Sequence, residues 1–80
     1  MEKIIQEVMS AVGGAENINN CTNCLTRLRL LLKDESCVET KQVKAIKGVF
    51  GVVQADGQYQ IVLGPGKAQK AAELLKKQIA

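Results

Sequence analysis

The stretch Thr26-Arg27-Leu28-Arg29-Leu30-Leu31-Leu32-Lys33 commits the chain to a sheet with one covered face. Read as a strand, period-two alternation puts Thr26, Leu28, Leu30 and Leu32 on one side and Arg27, Arg29, Leu31 and Lys33 on the other. The first side needs a layer packed over it. The second begins with two guanidinium groups roughly 7 Å apart along the strand, directly after Cys24 in what should be the preceding turn. Positive charge favours an ionised sulfur over the thiol, and arginine forks hold phosphate oxygens two at a time. From spacing alone two readings stand. One is a thiolate that handles phosphate; the other is an amphipathic strand with solvated arginines beside a small buried cysteine.

Eighty residues suffice for one small domain, which buries only about 60% of its extended-chain surface. Phe50 and Tyr59 are the only aromatic residues, so the core must be built from Val, Ile, Leu and Ala. No apolar run approaches the roughly 20 residues that cross a bilayer, and the N-terminus lacks a basic-then-apolar signal pattern. The expectation is a soluble, cytosolic chain. Three cysteines are an odd and small number, which argues against a disulfide framework and for reduced thiols. The net charge of +3 is spread along the sequence rather than gathered into a block, so a nucleic-acid partner is not expected. The absence of histidine says more. Without an imidazole for base catalysis, zinc or phosphate carriage, phosphoryl or acyl chemistry must run through a cysteine or arrive from another protein.

Residues 3–12 place Ile4, Ile5, Val8, Met9 and Val12 on one helical stripe, and Gly13-Gly14 supplies the stop. Ile18 to Thr22 reads as a short strand leading to a turn at Asn23-Cys24, before the strong strand of residues 26–33. From Thr40, as N-cap, a short helix is expected to about Ile46 with Val43 and Ile46 inward; Cys37, just before it, reads as a packing residue. Val49 to Ala55, Asp56-Gly57 and Gln58 to Leu63 spell a hairpin with a two-residue type I′ turn. Its register puts Phe50, Val52, Tyr59, Ile61 and Leu63 on the core face and Gly51, Val53, Gln58, Gln60 and Val62 on the other. Gly64-Pro65-Gly66 turns the chain into a terminal helix from Lys67 to Ala80, with Ala68, Ala71, Ala72, Leu75 and Ile79 inward. The predicted fold class is α+β, in the order αββαββα: a four-stranded antiparallel sheet with helices mainly on one face, leaving Arg27, Arg29 and Gln60 on the open face.

Cys21-Thr22-Asn23-Cys24 is also a C-x-x-C motif. A redox site of the thioredoxin kind would open a helix, whose N-terminus lowers the thiol pKa, but here a strand follows. Zinc needs four ligands, and with no histidine only Cys37 could add another sulfur. Cys21 to Arg27 has the C-x₅-R spacing of the cysteine phosphatases, yet CTNCLTR lacks the glycines of their phosphate loop. A disulfide between Cys21 and Cys24 would need the turn near Asn23 to close, because an extended strand points residues 21 and 24 to opposite faces. Otherwise Cys21 is a buried strand residue.

The run CLTRLRLLLKD resembles the active-site segment of the IIB domains of the bacterial sugar phosphotransferase system, in the glucose and sucrose/β-glucoside superfamily, with their pattern Cys-x-Thr-Arg-Leu-Arg. GGAENI upstream, GVFGVVQADGQYQIVLG downstream and the closing helix extend the likeness over nearly the whole chain. The resemblance implies a single IIB domain over residues 1–80, as a piece of a larger transporter on the cytoplasmic side of the membrane. It implies a phosphotransferase that passes a phosphoryl group from a phosphohistidine on a IIA domain, itself charged by HPr, to a sugar held by a membrane IIC domain. Cys24 matches the phosphocysteine, Arg27 and Arg29 the phosphate-proximal arginines, Thr26 the intervening hydroxyl residue and Gln60 a glutamine close to the site. No cofactor or metal is implied. Glucose-specific members carry an acidic residue where this chain has Thr22; the threonine and GGAENI are more like the sucrose, β-glucoside, trehalose and N-acetylmuramate branch. That branch often has histidine in place of Asn23. The other class of reading is a non-catalytic interaction or regulatory module whose Arg27/Arg29 face binds an acidic partner.

Overall fold

β2 (Arg27–Leu32) is flanked on both sides, by β1 (Ile18–Asn23) and by β4 (Gln58–Val62), with β3 (Gly51–Ala55) outermost, so the antiparallel sheet runs β1-β2-β4-β3. The computed structural model describes residues 1–55 and 57–79. Three helices complete the expected order: α1 (Glu2–Ala11), α2 (Thr40–Ala45) and α3 (Lys67–Ile79), with single 3₁₀ turns at Ala15–Asn17 and Glu35–Cys37. Among the described residues no helix is long and apolar enough to cross a membrane.

The alternation in β2 does what it predicts. Leu28 and Leu30 are fully buried, while Arg27 and Arg29 lie half-buried on the other face. α3 covers the leucine side along β1 and β2, with Ala68, Ala71, Ala72 and Leu75 buried against it. A helix face of alanines sits close to a sheet because there is little side chain to separate the two backbones. α1 adds Ile5, Val8 and Ala11 to the same core and ends at Gly13, whose φ of +97° is left-handed. A Cβ on Gly13 would also lie 3.1 Å from both Asn17 Nδ2 and Cys37 Cβ, so glycine is required there twice over.

Asn17 follows that stop and is itself buried. Its Nδ2 donates to the carbonyls of Val12 at 2.7 Å and Asp34 at 2.8 Å, and its Oδ1 accepts from the Asp34 N–H at 2.9 Å. One side chain thus ties the end of α1 to the segment that leaves β2.

Four local expectations differ from the structure. The first turn lies at Leu25-Thr26, not Asn23-Cys24: the Cys24 N–H donates to the Arg27 carbonyl at 3.0 Å, so β1 extends to Asn23 and β2 begins one residue later than expected. Thr40 is the first helical residue and Glu39 the N-cap, because the Thr40 hydroxyl is spent on the hydroxyl of fully buried Tyr59, 3.0 Å away; a buried phenol needs a partner. Phe50, expected in the core, is 75% exposed. It precedes β3 at the sheet edge, and its ring lies over Gly64, where an added Cβ would meet it at 3.6 Å, so it caps the surface while Tyr59, Ile61 and Leu63 fill the interior. Cys37 is exposed, with its Sγ 3.6 Å from the Asp34 carboxylate. In the β3–β4 hairpin, Ala55 pairs with Gln58 as the sequence register requires, and Gly57 is left-handed at φ +73°. Asp56, the other residue expected in that turn, lies outside the described residues, as does Ala80 at the end of α3.

Candidate active site at the β1–β2 turn

The turn beside Cys24 is fastened mainly by backbone, with the Asn23 Nδ2 donating to the Cys24 carbonyl at 3.2 Å. The Cys24–Arg27 hydrogen bond closes a two-residue loop. The Thr26 carbonyl at its tip accepts from Leu63 N–H at 2.9 Å and Gly64 N–H at 3.0 Å. Gly64, read from sequence as part of a chain-reversing Gly-Pro-Gly, therefore also braces the site. With the tip pinned to the end of β4, the amides of Thr26 and Arg27 are left facing the half-exposed Cys24 sulfur.

Those amides set the chemistry of the thiol. The Thr26 backbone N–H is the strongest influence that holds the Cys24 pKa below its ordinary value. The Arg27 backbone N–H and the Arg29 guanidinium, as donor and as charge, act in the same direction, and partial burial opposes them. Hydrogen bonds and positive charge that favour the ionised form lower a thiol pKa. The two arginines share one face but divide the work. Arg29 reaches the sulfur, whereas Arg27 contributes its backbone there and sends Nη1 to Gln60 Oε1 at 2.9 Å. Arg29 Nε is buried without a hydrogen-bond partner, the one such side-chain nitrogen or oxygen among the described residues. An orphaned donor of this kind calls for an acceptor.

The sequence-derived residues are thus brought together at one end of the open face. Across the sheet, Thr22, Arg29, Gln60 and Val53 form one row, and Arg27, Val62 and Gly51 the next. Thr26 enters through its backbone. Gln60 is only 4% exposed and touches Arg27. Sequence reading missed Gln58, whose Oε1 accepts from Gln60 Nε2 at 3.2 Å; its place two residues from Gln60 on the same strand face was the available signal. It also missed the apolar rim. Leu25 at the turn tip is 76% exposed, and Phe50 stands over Gly64 beside that turn.

Cys21 is not part of this arrangement. It is fully buried on the helix side of β1, its Sγ 3.7 Å from the Ala72 carbonyl, and burial pushes its pKa up. The Cys21 and Cys24 side chains lie on opposite sides of the sheet.

A family model described as phosphotransferase system, EIIB, matches residues 6–38, which hold Cys24, Thr26, Arg27 and Arg29. A crystal structure of one domain of the PTS system IIABC component from Clostridium difficile superposes at a TM-score of 0.86 with 34% identity, over 99% of this chain and 81% of that one. The chain belongs to the EIIB family of the phosphotransferase system. Among curated relatives, the N-acetylmuramic acid-specific EIIBC component of Aliivibrio fischeri is 51% identical over 92% of this EIIB chain. The MurNAc-GlcNAc-specific EIIBC component of Staphylococcus saprophyticus is 46% identical over 89% of it. The chain spans 15% of the length of each of these relatives.

Proposed function

We propose that Cys24 is the residue that carries the phosphoryl group, as the nucleophile of a two-step relay. The thiol first loses its proton to solvent. The thiolate attacks the phosphorus of a phosphohistidine on a IIA domain; the S–P bond forms as the N–P bond breaks, and histidine leaves. In the second step a sugar hydroxyl held by a membrane IIC domain attacks the same phosphorus and gives up its proton to solvent; the O–P bond forms as the S–P bond breaks, and the thiolate returns. Arg29, with its unpartnered Nε, and Arg27 hold the equatorial oxygens, and such preorganised electrostatic stabilisation is usually the largest catalytic contribution. A thiophosphate ester retains enough transfer potential to drive sugar phosphorylation, so the sequence needs no metal or cofactor. The observation that carries this reading is the convergence of the Thr26 and Arg27 amides and the Arg29 guanidinium on one half-exposed sulfur.

The surface around Cys24 suits handover between proteins. It is an open sheet face flanked by exposed Leu25 and Phe50, rather than an enclosed sugar pocket. The domain works beside a IIC partner at the cytoplasmic side of the membrane, as part of a larger EIIBC-type transporter, and its sugar is N-acetylmuramic acid or a conjugate of it. The support for the sugar is the run of relatives at about half identity whose names carry that specificity.

Intact-mass measurement after incubation with the general phosphotransferase proteins, a IIA domain and phosphoenolpyruvate tests the first step. One added phosphate is expected, absent in Cys24→Ser and retained in Cys21→Ser and Cys37→Ser. A phosphorylated Cys24→Ser protein would remove the assignment.

A further inference from the structure

Gln60 is a buried amide gripped at both ends. Arg27 Nη1 donates to its oxygen, and its nitrogen donates to Gln58 Oε1. A guanidinium can only donate, so the oxygen of Gln60 must face Arg27; its NH₂ group must then face an acceptor. Gln58 supplies that acceptor. If the acceptor were replaced by a donor, the amide would gain by turning over, and its NH₂ group would confront the guanidinium. The geometry supports a relay on one sheet face. Gln58 and Gln60 alternate onto the same side of β4, and Arg27 reaches Gln60 diagonally, its direct cross-strand partner being Val62.

We infer that Gln58 is a positioning residue: through the Gln60 amide it fixes the Arg27 guanidinium on the open sheet face, in the orientation that receives an oxygen of a phosphoryl group arriving at Cys24. Arg27 has several freely turning bonds between backbone and guanidinium, and the one side-chain hydrogen bond it makes among the described residues is to Gln60. Holding it in place before phosphate arrives removes an ordering cost from the transfer step. Gln58 touches neither the sulfur nor the phosphate and acts only through Gln60. The functional consequence rests on the phosphocarrier reading of Cys24; the side-chain relay itself does not.

The test compares Gln58→Glu, which keeps an acceptor, with Gln58→Lys, which offers only donors. Charge alone would favour the lysine variant, since the incoming phosphoryl group is anionic, so the relay predicts the opposite order from simple electrostatics. Single-turnover phosphoryl acceptance from a phosphorylated IIA domain should stay within about twofold of the parent for Gln58→Glu and fall about tenfold for Gln58→Lys, the scale of one misdirected hydrogen bond to a charged group. Nuclear magnetic resonance of the Arg27 guanidinium and the Gln60 side-chain amide should show their coupled signals retained in the first variant and lost in the second. Should the lysine variant not fold, Gln58→Met replaces the amide oxygen by a far weaker thioether acceptor at similar volume without adding charge, and a loss in the same direction is expected. Gln58→Lys as fast as Gln58→Glu, or Arg27 and Gln60 signals unmoved in Gln58→Met, would overturn the inference. If the parent chain takes up no phosphate at all, the phosphocarrier reading fails, while the resonance comparison still decides whether Gln58 positions Arg27.

Discussion

Of the three thiols, only that of Cys24 is held below its ordinary pKa, by the Thr26 amide first and then by the Arg27 amide and Arg29 guanidinium. Burial raises that of Cys21, and the charge of the Asp34 carboxylate is the main influence raising that of Cys37. A thiol is alkylated as its thiolate, whose share grows as pH rises through the pKa, so a lowered value means reaction at lower pH. Iodoacetamide near neutral pH should therefore modify Cys24 ahead of the more exposed Cys37, with a half-maximal rate below the roughly 8.5 of a free cysteine. Peptide mass analysis reads the site; faster labelling of Cys37 would contradict the assigned surroundings. Arg29→Ala should move the Cys24 midpoint upward. Arg27→Ala should leave it nearly in place, because that residue acts on the sulfur through its backbone. Arg27→Lys and Arg29→Lys should both fold and yet transfer phosphate poorly, since an ammonium keeps the charge but not the planar two-point contact; unchanged single-turnover rates in both would exclude a role for guanidinium geometry.

At the scale of elements, β2 bears on both layers at once, presenting leucines to α3 and arginines to the open face. Leu30 is fully buried and its neighbour Leu31 is exposed. Leu30→Ala should cost about 2–5 kcal/mol in urea unfolding, while Leu31→Ala should stay within about 0.5 kcal/mol. Equal losses would mean that the strand does not keep this register. Phe50→Ser should likewise be nearly neutral for stability, because the ring is mostly in water. The alternation of β2 was legible because it follows from the strand backbone itself. The position of the turn before it was not. Nothing in Asn23-Cys24-Leu25-Thr26 demands a reversal at the last two residues; the choice is made by Leu63 and Gly64, which take both lone pairs of the Thr26 carbonyl from the far end of β4.

Over the whole molecule, three hydrogen bonds of Asn17 tie the end of α1 to the segment that leaves β2. Asn17→Ala would leave the Val12 carbonyl and both backbone groups of Asp34 without that partner, and should lower stability by about 1–3 kcal/mol with Cys24 alkylation unchanged in the folded protein. A variant as stable as the parent in urea would show that water replaces the side chain without loss. The sequence by itself determined the order of the elements, the buried face of β2, the helix stop at Gly13 and, with no histidine in the chain, a cysteine followed by two arginines as the candidate for the phosphate chemistry proposed above. Those follow from periodicity, backbone stereochemistry and the absence of histidine, all of which act within a few residues or need only a composition. Tertiary structure alone decided that Arg29 rather than Arg27 reaches the sulfur, that Gln60 partners Arg27, and that Phe50 lies outside the core. Each of these depends on which strands are neighbours and in what register: Gln60 meets Arg27 across 33 residues of chain, a separation at which local sequence preferences carry no directional information.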